Sequence, residues 1–248
     1  MAGFNALVLA GSRGGPDPVA DYAGVPHKAL IDLAGETLLA RVVGAVRAAG
    51  AGRVAVSASH PDVGAAATAL GAEVLKAAGG PSQSVRQGAE ALGAPLLVTT
   101  ADHALLRPEW ITAFLGDVPA GADVCALVAG RSDVEAAAPG TQRTWLKFAD
   151  GDWSGCNLFY LATPRSFAVT DLWRRVEADR KRPWRIAALL GPRVLLEYAT
   201  GRLTLDRAAR RIGELGGFTA AVVRTPYGLA SVDVDKPTDL DLARMLAC

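Results

Sequence analysis

The chain has 248 residues, of which 50% are apolar, and its acidic and basic residues leave a net charge of +1. This length and composition predict a folded protein with a sizeable core, and the near-zero charge argues against a whole-protein attraction to nucleic acid or membranes. No apolar run approaches the roughly 20 residues of a membrane-spanning helix, and the first residues lack the basic start and apolar stretch of a signal peptide.

In the first half of the chain, short apolar runs alternate with longer stretches of helical pattern. This alternation predicts βαβ units with right-handed crossovers and a mostly parallel sheet, and therefore an α/β fold. The predicted strands cover residues 6–9, 53–57, 73–75, 95–99 and 124–128, and the predicted helices cover residues 37–49, 62–70, 82–92 and 109–115.

The second half has a less regular pattern. Residues 164–216 are predicted to be mainly helical and are rich in arginine. The sequence has no internal repeat or low-complexity linker, which favours one domain over residues 1–248 with 164–216 as a helical elaboration within it. The predicted strands cover residues 144–148, 157–161, 220–224 and 230–233, with a turn at 150–152, and a final helix covers residues 238–246.

The cysteines bear on the redox environment. Cys125, Cys156 and Cys248 are odd in number and far apart, which favours reduced thiols and a cytoplasmic protein. None of them is spaced from a histidine as in a zinc site.

A glycine-rich stretch follows the first predicted strand. In a parallel sheet, ligands bind in the loops after the carboxyl ends of the strands, here residues 11–28, 79–84 and 100–106. Glycines leave the backbone N–H groups of the first loop accessible to phosphates, and Arg13 and Lys28 add positive charge. The loop matches neither G-x-x-x-x-G-K-[ST] nor G-x-G-x-x-G. By its composition alone, an ordinary surface loop is slightly favoured.

The same stretch resembles the opening of the MobA-like nucleotidyltransferases, which reads L-A-A/G-G-x-G-x-R, a spacer and then P-K-x-L. Here it stands as Leu9-Ala10-Gly11-Ser12-Arg13-Gly14-Gly15, a longer spacer and then His27-Lys28-Ala29-Leu30. The second glycine lies beyond the arginine, and His27 replaces the proline. The resemblance implies a three-layer α/β/α, Rossmann-like (GT-A-like) fold with Arg13 and Lys28 as catalytic cations. The implied nucleotide contacts in this stretch are Ala10, Gly11, Ser12, Gly14 and Gly15.

Residues 79–92 resemble the helix start that such enzymes place beside the nucleotide base. Gly80, Gln83 and Ser84 would bind the nucleotide, because a polar side chain at a helix N-terminus suits recognition of a base edge. The segment is most similar to cytidylyltransferases, in which an arginine or other polar residue precedes Ser-Val, and it therefore favours CTP. A simple capped helix explains the same residues nearly as well.

Two aspartates resemble the family's metal ligands. Ala101-Asp102 resembles the T-x-A-D-x-P-L strand end, with Ala104 where proline is common, which implies Ala101 as a nucleotide contact and Asp102 as a ligand of Mg²⁺. The sequence D-K-P-T-D-L resembles the family's D-T-P-E-D-L element, which implies Asp235 as the second ligand and Asp233 as a nearby supporter. Mg²⁺ prefers carboxylate and phosphate oxygens, so this residue pair suits it.

Four other polar residues receive different interpretations. Asp239 and Asp241 are interpreted as charges that complement the N-terminal dipole of the last helix. His27 and His103 are interpreted as contacts within the site and not as catalysts, because no base is required when the acceptor is already a phosphate.

The acceptor is expected on the second half of the chain. The family has an Asn- or Gly-containing strand that touches the sugar or acceptor near residues 144–161. Three interpretations of the basic cluster at 174–185 stay open: a solvated helix face, a pocket for an anionic acceptor, and a peripheral membrane contact. The candidate acceptor-binding residues are Asn157, Lys147, Arg180, Lys181 and Arg185.

The implied reaction is NMP transfer, in which a phosphate on the acceptor attacks the α-phosphorus of an NTP and pyrophosphate leaves. The favoured substrates are CTP and a small phosphorylated acceptor, such as a phosphoglycerate, polyol phosphate or sugar phosphate, for lipid head-group or envelope synthesis. A molybdenum cofactor guanylyltransferase, an NDP-sugar glycosyltransferase with a D-x-D motif at 150–152, and a non-catalytic nucleotide-binding module are the alternatives. No nucleic-acid partner is expected, and both a monomer and a homodimer are compatible with the sequence.

Overall fold

A computed structural model describes residues 3–12, 14–178 and 189–247 of the chain. No helix in these ranges is long and apolar enough to cross a membrane. The strands are β1 (Phe4–Ala10), β2 (Asp32–Leu33), β3 (Glu36–Thr37), β4 (Ala51–Ala58), β5 (Glu73–Lys76), β6 (Leu96–Thr100), β7 (Val124–Gly130), β8 (Leu146–Phe148), β9 (Gly151–Leu161) and β10 (Ala220–Thr225).

A single eight-stranded sheet organises the fold. Its strand order is β10-β7-β9-β6-β1-β4-β5, with β8 paired to β9, while β2 and β3 form a separate hairpin. Strand β1 is parallel to β4 and β6, β4 is parallel to β5, and β7 is parallel to β10. Strand β9 runs antiparallel to β6, β7 and β8. The predicted mostly parallel α/β sheet is confirmed.

Helices cover both faces of this sheet, because alternate residues of its buried strands point in opposite directions. In β1, Ala6 and Val8 belong to one apolar cluster, whereas Leu7 belongs to a second cluster on the other face. The helices are α1 (Pro18–Ala23), α2 (Leu38–Ala48), α3 (Pro61–Ala69), α4 (Pro81–Leu92), α5 (Pro108–Gly116), α6 (Arg131–Ala137), α7 (Val169–Ala178), α8 (Pro192–Ala199), α9 (Leu205–Gly216) and α10 (Pro237–Leu246).

Local sequence determines where many helices begin. The Thr37 hydroxyl accepts a hydrogen bond from the backbone N–H of Ala40 at 3.1 Å and so caps α2. Proline occupies the first turn of α1, α3, α4, α5, α8 and α10, where its missing N–H leaves no intrahelical bond unmade. The helices and strands predicted from periodicity in the first half are found within one or two residues of these boundaries.

Three predictions from the sequence need correction. Residues 230–233 do not form a strand: a 3₁₀ helix covers Gly228–Ser231, although Ala230 and Val232 are buried as an apolar strand would be. The long loop after β1 contains helix α1, which Asp17 caps by accepting from the N–H groups of Val19 and Ala20. The turn predicted at 150–152 is shifted, because β9 already begins at Gly151.

The segment predicted as helical, residues 164–216, contains a 3₁₀ helix (Pro164–Ala168) followed by α7, α8 and α9. The Trp173 ring of α7 packs against Phe159 of β9 with ring centroids 5.6 Å apart. This contact attaches the segment to the second face of the sheet. Two of the three cysteines, Cys125 and Cys156, are buried free thiols, and burial raises the pKa of Cys125 to about 11.

Candidate active site

The carboxyl ends of β1, β4, β5 and β6 meet at one edge of the sheet, because these strands are parallel. The backbone N–H of Ser12, just after β1, donates to the Ser59 hydroxyl just after β4 at 2.9 Å. Exposed Gly14 and Gly15 follow with φ values of 76° and 100°, which favour glycine. Ala10 and Ala101 are buried where β1 and β6 end. The predicted phosphate loop therefore lies at this edge; Arg13 lies outside the described residues.

The centre of the edge is an ammonium group between two carboxylates. Nζ of Lys28 lies 2.5 Å from Oδ2 of Asp102 and 3.2 Å from Oδ1 of Asp235. Lys28 begins a 3₁₀ helix (Lys28–Leu30), whose start the His27 ring caps by accepting from the Ala29 N–H at 3.1 Å. The chain near Asp235 is tied to Asp102, whose carbonyl accepts from the Val234 N–H at 3.0 Å. Lys28, Asp102 and Asp235, which were predicted from three separate motifs, therefore lie in direct contact.

The charges in this cluster affect one another. Burial lowers the pKa of Lys28, but the charges of Asp102 and Asp235 and their hydrogen bonds outweigh burial, so the pKa lies above its usual value. The ammonium therefore stays charged at neutral pH and serves as the counter-ion of both acids.

The two acids provide donors that fit Mg²⁺. Oδ1 of Asp102 is buried and has no hydrogen-bond partner among the described residues, while the Asp235 side chain is 61% exposed. A divalent cation needs one or two carboxylates together with phosphate oxygens, and this pair leaves such oxygens available. Among the described residues, no group of three or more His, Cys, Asp or Glu side chains has the arrangement of a metal site of its own.

A second ionic cluster lies beside the first, around Asp233. The guanidinium of Arg143, 6% exposed, is ion-paired with Asp233 and, at 2.8 Å, with Oδ1 of Asp239. The amide of Asn157 donates to Oδ2 of Asp233 at 2.8 Å. Burial and the charge of Asp235 raise the pKa of Asp233, partly offset by Arg143. These contacts hold Asp233 from both sides.

Asp239 connects this second cluster to Asp235. Its Oδ2 accepts from the backbone N–H groups of Asp235 at 3.2 Å and Lys236 at 3.0 Å, at the start of α10. Asp239 thus lies in the first turn of α10, where its charge complements the helix dipole as predicted. It also forms a buried ion pair with Arg143, which was not predicted. Asp241 accepts from the Tyr22 hydroxyl at 3.2 Å.

The predicted base-binding segment is the loop after β5 and the start of α4. The Ser84 hydroxyl accepts from the Ala78 N–H at 3.0 Å, and Gln83 is exposed. Glu177 of α7 also contacts this helix start, accepting from the N–H and hydroxyl of Ser82 at 3.1 and 2.7 Å. Gly80 permits this approach, because a Cβ there would lie 3.1 Å from Oε2 of Glu177.

A pocket of about 310 Å³ adjoins the two ionic clusters; we call it the Asn157 pocket. A larger cavity of about 660 Å³ lies at the opposite edge of the sheet, near Asp123 at the start of β7, and contains none of the predicted site residues. The Asn157 pocket is lined by Gln142, Arg143, Thr144, Leu146, Ser154, Gly155, Asn157, Ser231, Asp233, Asp235, Lys236 and Asp239.

Other predicted residues lie apart from these clusters. Lys147 is exposed on β8 and does not line the Asn157 pocket. Arg180, Lys181 and Arg185 lie outside the described residues. His103 is buried, and burial lowers its pKa to about 4, so its imidazole is neutral at physiological pH.

The D-x-D pattern at 150–152 has structural partners. Asp150 accepts from the Leu205 N–H at 2.9 Å and pairs with Arg224 at 3.0 Å, and Asp152 pairs with Arg131 at 3.3 Å. Both carboxylates therefore already interact with basic side chains, which does not favour the glycosyltransferase interpretation.

Sequence inspection missed Arg143 and Glu177. Arg143 lies in a stretch without regular secondary structure, and Glu177 lies 95 residues beyond its partner Ser82. One signal was available: three closely spaced acids at 233, 235 and 239 require a buried cation if they are not all exposed.

Comparison with known proteins gives this arrangement a class. The chain is a nucleotidyltransferase, and a nucleotidyl transferase from Methanothermobacter is among the solved structures that share its fold. It belongs to the MobA-like NTP transferase domain family, whose sequence model matches residues 6–214. No curated protein sequence matches the chain.

Solved structures show the same fold. A hypothetical transferase from Thermus thermophilus is 32% identical, with a TM-score of 0.83, and the match covers 97% of this chain and 100% of that chain. CMP:2-keto-3-deoxy-manno-octonic acid synthetase complexed with CTP is 18% identical (TM-score 0.60; 99% and 98% covered). The 2-C-methyl-D-erythritol 4-phosphate cytidylyltransferase of Thermus thermophilus is also 18% identical (TM-score 0.54; 99% and 98% covered).

Proposed function

We propose that this protein transfers CMP from CTP to a small phosphorylated acceptor and releases pyrophosphate. One observation carries the proposal: Nζ of Lys28 lies 2.5 Å from Asp102 and 3.2 Å from Asp235, at the edge of the sheet where β1 and β6 end. Family membership supplies the reaction class. The base, the acceptor, the metal and the roles of individual residues are the proposed parts.

The reaction requires little covalent chemistry from the protein. An acceptor phosphate oxygen attacks the α-phosphorus, and the bond to the β-phosphate oxygen breaks, so charge moves onto the leaving pyrophosphate. Lys28 would donate hydrogen bonds to those phosphates, and Arg13 belongs to the predicted phosphate loop. Backbone N–H groups near Gly14 and Gly15 add further donors.

Asp102 and Asp235 would hold Mg²⁺ together with oxygens of the triphosphate. The buried Oδ1 of Asp102 supports this role, because it has no partner among the residues that the structure describes and a buried carboxylate oxygen without a partner is costly. When bound, the ion would neutralise charge on the phosphates. Lys28 would then donate its hydrogen bonds to the nucleotide phosphates instead of to Asp102 and Asp235.

Two features support CTP as the donor. Ser84 fixes the loop through Ala78 and leaves Gln83 exposed at the start of α4, next to the edge that carries the phosphate loop. Two proteins that share the fold are named for cytidylyl or CMP transfer, and one of them is complexed with CTP. GTP is the donor expected under the molybdenum cofactor alternative.

The acceptor would occupy the Asn157 pocket. This pocket includes Asp235, so an acceptor phosphate at its mouth lies next to the charge cluster. We propose that the whole chain acts as one domain and that residues 164–216 lie on the acceptor side. Arg180, Lys181 and Arg185 stay candidate contacts from that segment.

A substrate screen tests the proposal. The protein is incubated with each of the four NTPs, with and without Mg²⁺, and with a panel of phosphorylated acids, polyols and sugars, and pyrophosphate is measured enzymatically. Acceptor-dependent release with CTP and Mg²⁺ is the expected result. Release with GTP alone would contradict the donor assignment, and an absence of release with every pair would contradict the proposed function.

A further inference from the structure

The Asn157 pocket has a charge pattern that restricts its ligand. Three of its lining residues, Asp233, Asp235 and Asp239, are acidic, whereas Arg143 and Lys236 are its basic residues. Lys28, which is not part of the lining, is ion-paired with Asp235, so Asp233 and Asp239 share the buried Arg143 as their counter-ion. A carboxylate on the ligand would therefore meet two acids that already share one cation.

We propose that the Asn157 pocket selects acceptors through hydroxyl groups and disfavours acceptors that carry a carboxylate. The inference rests on the proposed function, because it names the acceptor class of the same site. It separates polyol and sugar phosphates from phosphorylated acids such as phosphoglycerate.

The basic side chain best suited to a carboxylate is already engaged. Arg143 is ion-paired with both Asp233 and Asp239 and donates to the Ser231 carbonyl at 3.2 Å. Its side chain is 6% exposed, so its fork of donors faces the protein. A carboxylate ligand would have to displace an existing buried acid, which would leave that acid unpaired.

Hydroxyl groups match the remaining lining. Gln142, Thr144 and Asn157 offer neutral amide and hydroxyl groups that both donate and accept hydrogen bonds. Oδ2 of Asp233 accepts from Asn157 and, as a carboxylate oxygen, has capacity for a second donor. A hydroxyl can donate to such an oxygen and accept from an amide, whereas a carboxylate only accepts. Sites built to hydrogen-bond a hydroxyl discriminate strongly against analogues that lack it.

The backbone at Asn157 departs from the usual strand conformation. Asn157 has φ 49°, in the left-handed region that few non-glycine residues adopt. The β7–β9 pairing is irregular between Ala126 and Val128, next to this residue. Such conformations concentrate at functional sites, where the surrounding structure compensates for their cost. Here the conformation accompanies the contact between the Asn157 amide and Asp233.

The position of the cations then orients the acceptor. Lys236 is exposed at the pocket and Lys28 lies beyond Asp235, so the phosphate of the acceptor belongs at that side. Its hydroxyl-bearing chain belongs towards Asn157 and Asp233. The pocket volume of about 310 Å³ suits a small molecule of this kind.

Matched ligand pairs test the inference. Glycerol 3-phosphate and 3-phosphoglycerate differ by a hydroxymethyl group in place of a carboxylate, and erythritol 4-phosphate and 4-phosphoerythronate differ in the same way. Binding of each to the wild-type protein is measured by isothermal titration calorimetry without nucleotide, and kcat/KM is measured with CTP. The hydroxymethyl member of each pair is expected to bind on the order of 10-fold more tightly.

A variant tests the cause of the preference. Asp233→Asn keeps the size of the side chain and removes its charge, so the preference within each pair should fall to about 3-fold or less. Asp117→Asn, an exposed residue at the end of α5, is the matched control and should keep the wild-type ratio. The wild-type comparison does not depend on whether Asp233→Asn folds.

The outcomes separate this inference from the proposed function. Equal or tighter binding of the carboxylate members, binding of no member of either pair, or an unchanged ratio in folded Asp233→Asn would overturn the selectivity inference. Selective binding without pyrophosphate release from any NTP would instead contradict the proposed function and leave the pocket assignment intact.

Discussion

At the scale of single residues, Lys28 is the central group because it is the counter-ion of two acids at once. Its ammonium group contacts Asp102 and Asp235, and Asp102 retains a buried oxygen that no residue in the described part of the chain hydrogen-bonds. In the proposed reaction, a metal ion and the triphosphate bring their own charges, and Lys28 exchanges its acidic partners for phosphates. Lys28 therefore weakens metal binding by the two acids before the nucleotide binds. After the nucleotide binds, Lys28 contacts the phosphates and no longer opposes the metal.

Replacing Lys28 with methionine tests this exchange. Lys28→Met should lower kcat/KM about 10²- to 10³-fold, because a donor to the phosphates is lost. The same variant should bind Mn²⁺ alone more tightly than the wild type, as measured by electron paramagnetic resonance, because both acids lose their internal counter-ion. Arg193→Met, a control at a side chain that is 84% exposed, should change neither property. Unchanged or weaker Mn²⁺ binding in folded Lys28→Met would contradict the exchange.

The buried His103 makes stability depend on pH. Burial lowers its folded-state pKa to about 4 from an ordinary value of 6.5. Between these two pH values, the unfolded state therefore binds a proton at His103 more readily than the folded state does. The stabilisation is complete above about pH 6.5 and is lost as pH falls towards 4, by up to about 3 kcal/mol.

Urea unfolding between pH 4 and 7.5 measures this effect of His103. The wild-type free energy of unfolding should fall more steeply with acidification than that of His103→Gln. Met245→Leu, a control without a titratable group at an exposed position of α10, should follow the wild-type slope. Equal slopes in the wild type and His103→Gln would show that burial of this imidazole does not control acid stability.

The sequence identified some site residues and not others for a physical reason. Asp102 and Lys28 stand in short motifs whose spacing is set by a strand end and a loop, so a family pattern captures them. Arg143 acts through contacts with Asp233 and Asp239, which are 90 and 96 residues away. Nothing local to Arg143 distinguishes it from an exposed arginine, and only the folded chain reveals its burial.

At the scale of elements, the periodic segments were predictable and the irregular ones were not. Helix α2 and strand β4 follow from amphipathic and apolar patterns bounded by glycine. Residues 230–233 carry a strand-like pattern of buried apolar positions, yet this part of the chain pairs with no described strand. Their burial comes from packing a 3₁₀ turn, Gly228–Ser231, and an apolar pattern alone does not distinguish the two.

Two helical glycines provide a matched test of element packing. A Cβ at Gly213 in α9 would lie 2.4 Å from the backbone carbonyl oxygen of Phe218, whereas a Cβ at Gly44 in α2 meets nothing within 4 Å. Gly44→Ala should raise the free energy of unfolding by about 1 kcal/mol through helix propensity. Gly213→Ala should lower it by roughly 1–3 kcal/mol, because the clash exceeds that gain. Thermal and urea unfolding measure the stability of both variants. Stabilisation by Gly213→Ala would contradict this prediction and show that α9 can move away from the Phe218 carbonyl at little cost.

At the scale of the whole molecule, strand order determines where the chemistry occurs. From β1 the chain passes to β4 and β5 on one side, and β6 then returns to the other side of β1. A ligand crevice forms outside the carboxyl ends of strands at such a reversal. Asp102 follows β6 and the glycine-rich loop follows β1, which places both at this crevice. The alternation of strands and helices made the edge predictable, but the antiparallel insertion of β9 and the pocket beside it depend on long-range pairing.

Following the α-phosphorus of CTP tests the proposed CMP transfer. The protein is mixed with CTP, Mg²⁺ and glycerol 3-phosphate, and ³¹P nuclear magnetic resonance monitors the phosphorus atoms over time. The proposed reaction gives equal amounts of pyrophosphate and a new diphosphate-linked CMP product. The wild type and Asp117→Asn should form both, and Asp102→Asn should form them at least about 10²-fold more slowly. Formation of CDP and inorganic phosphate instead, or full activity of Asp102→Asn, would contradict the proposed transfer.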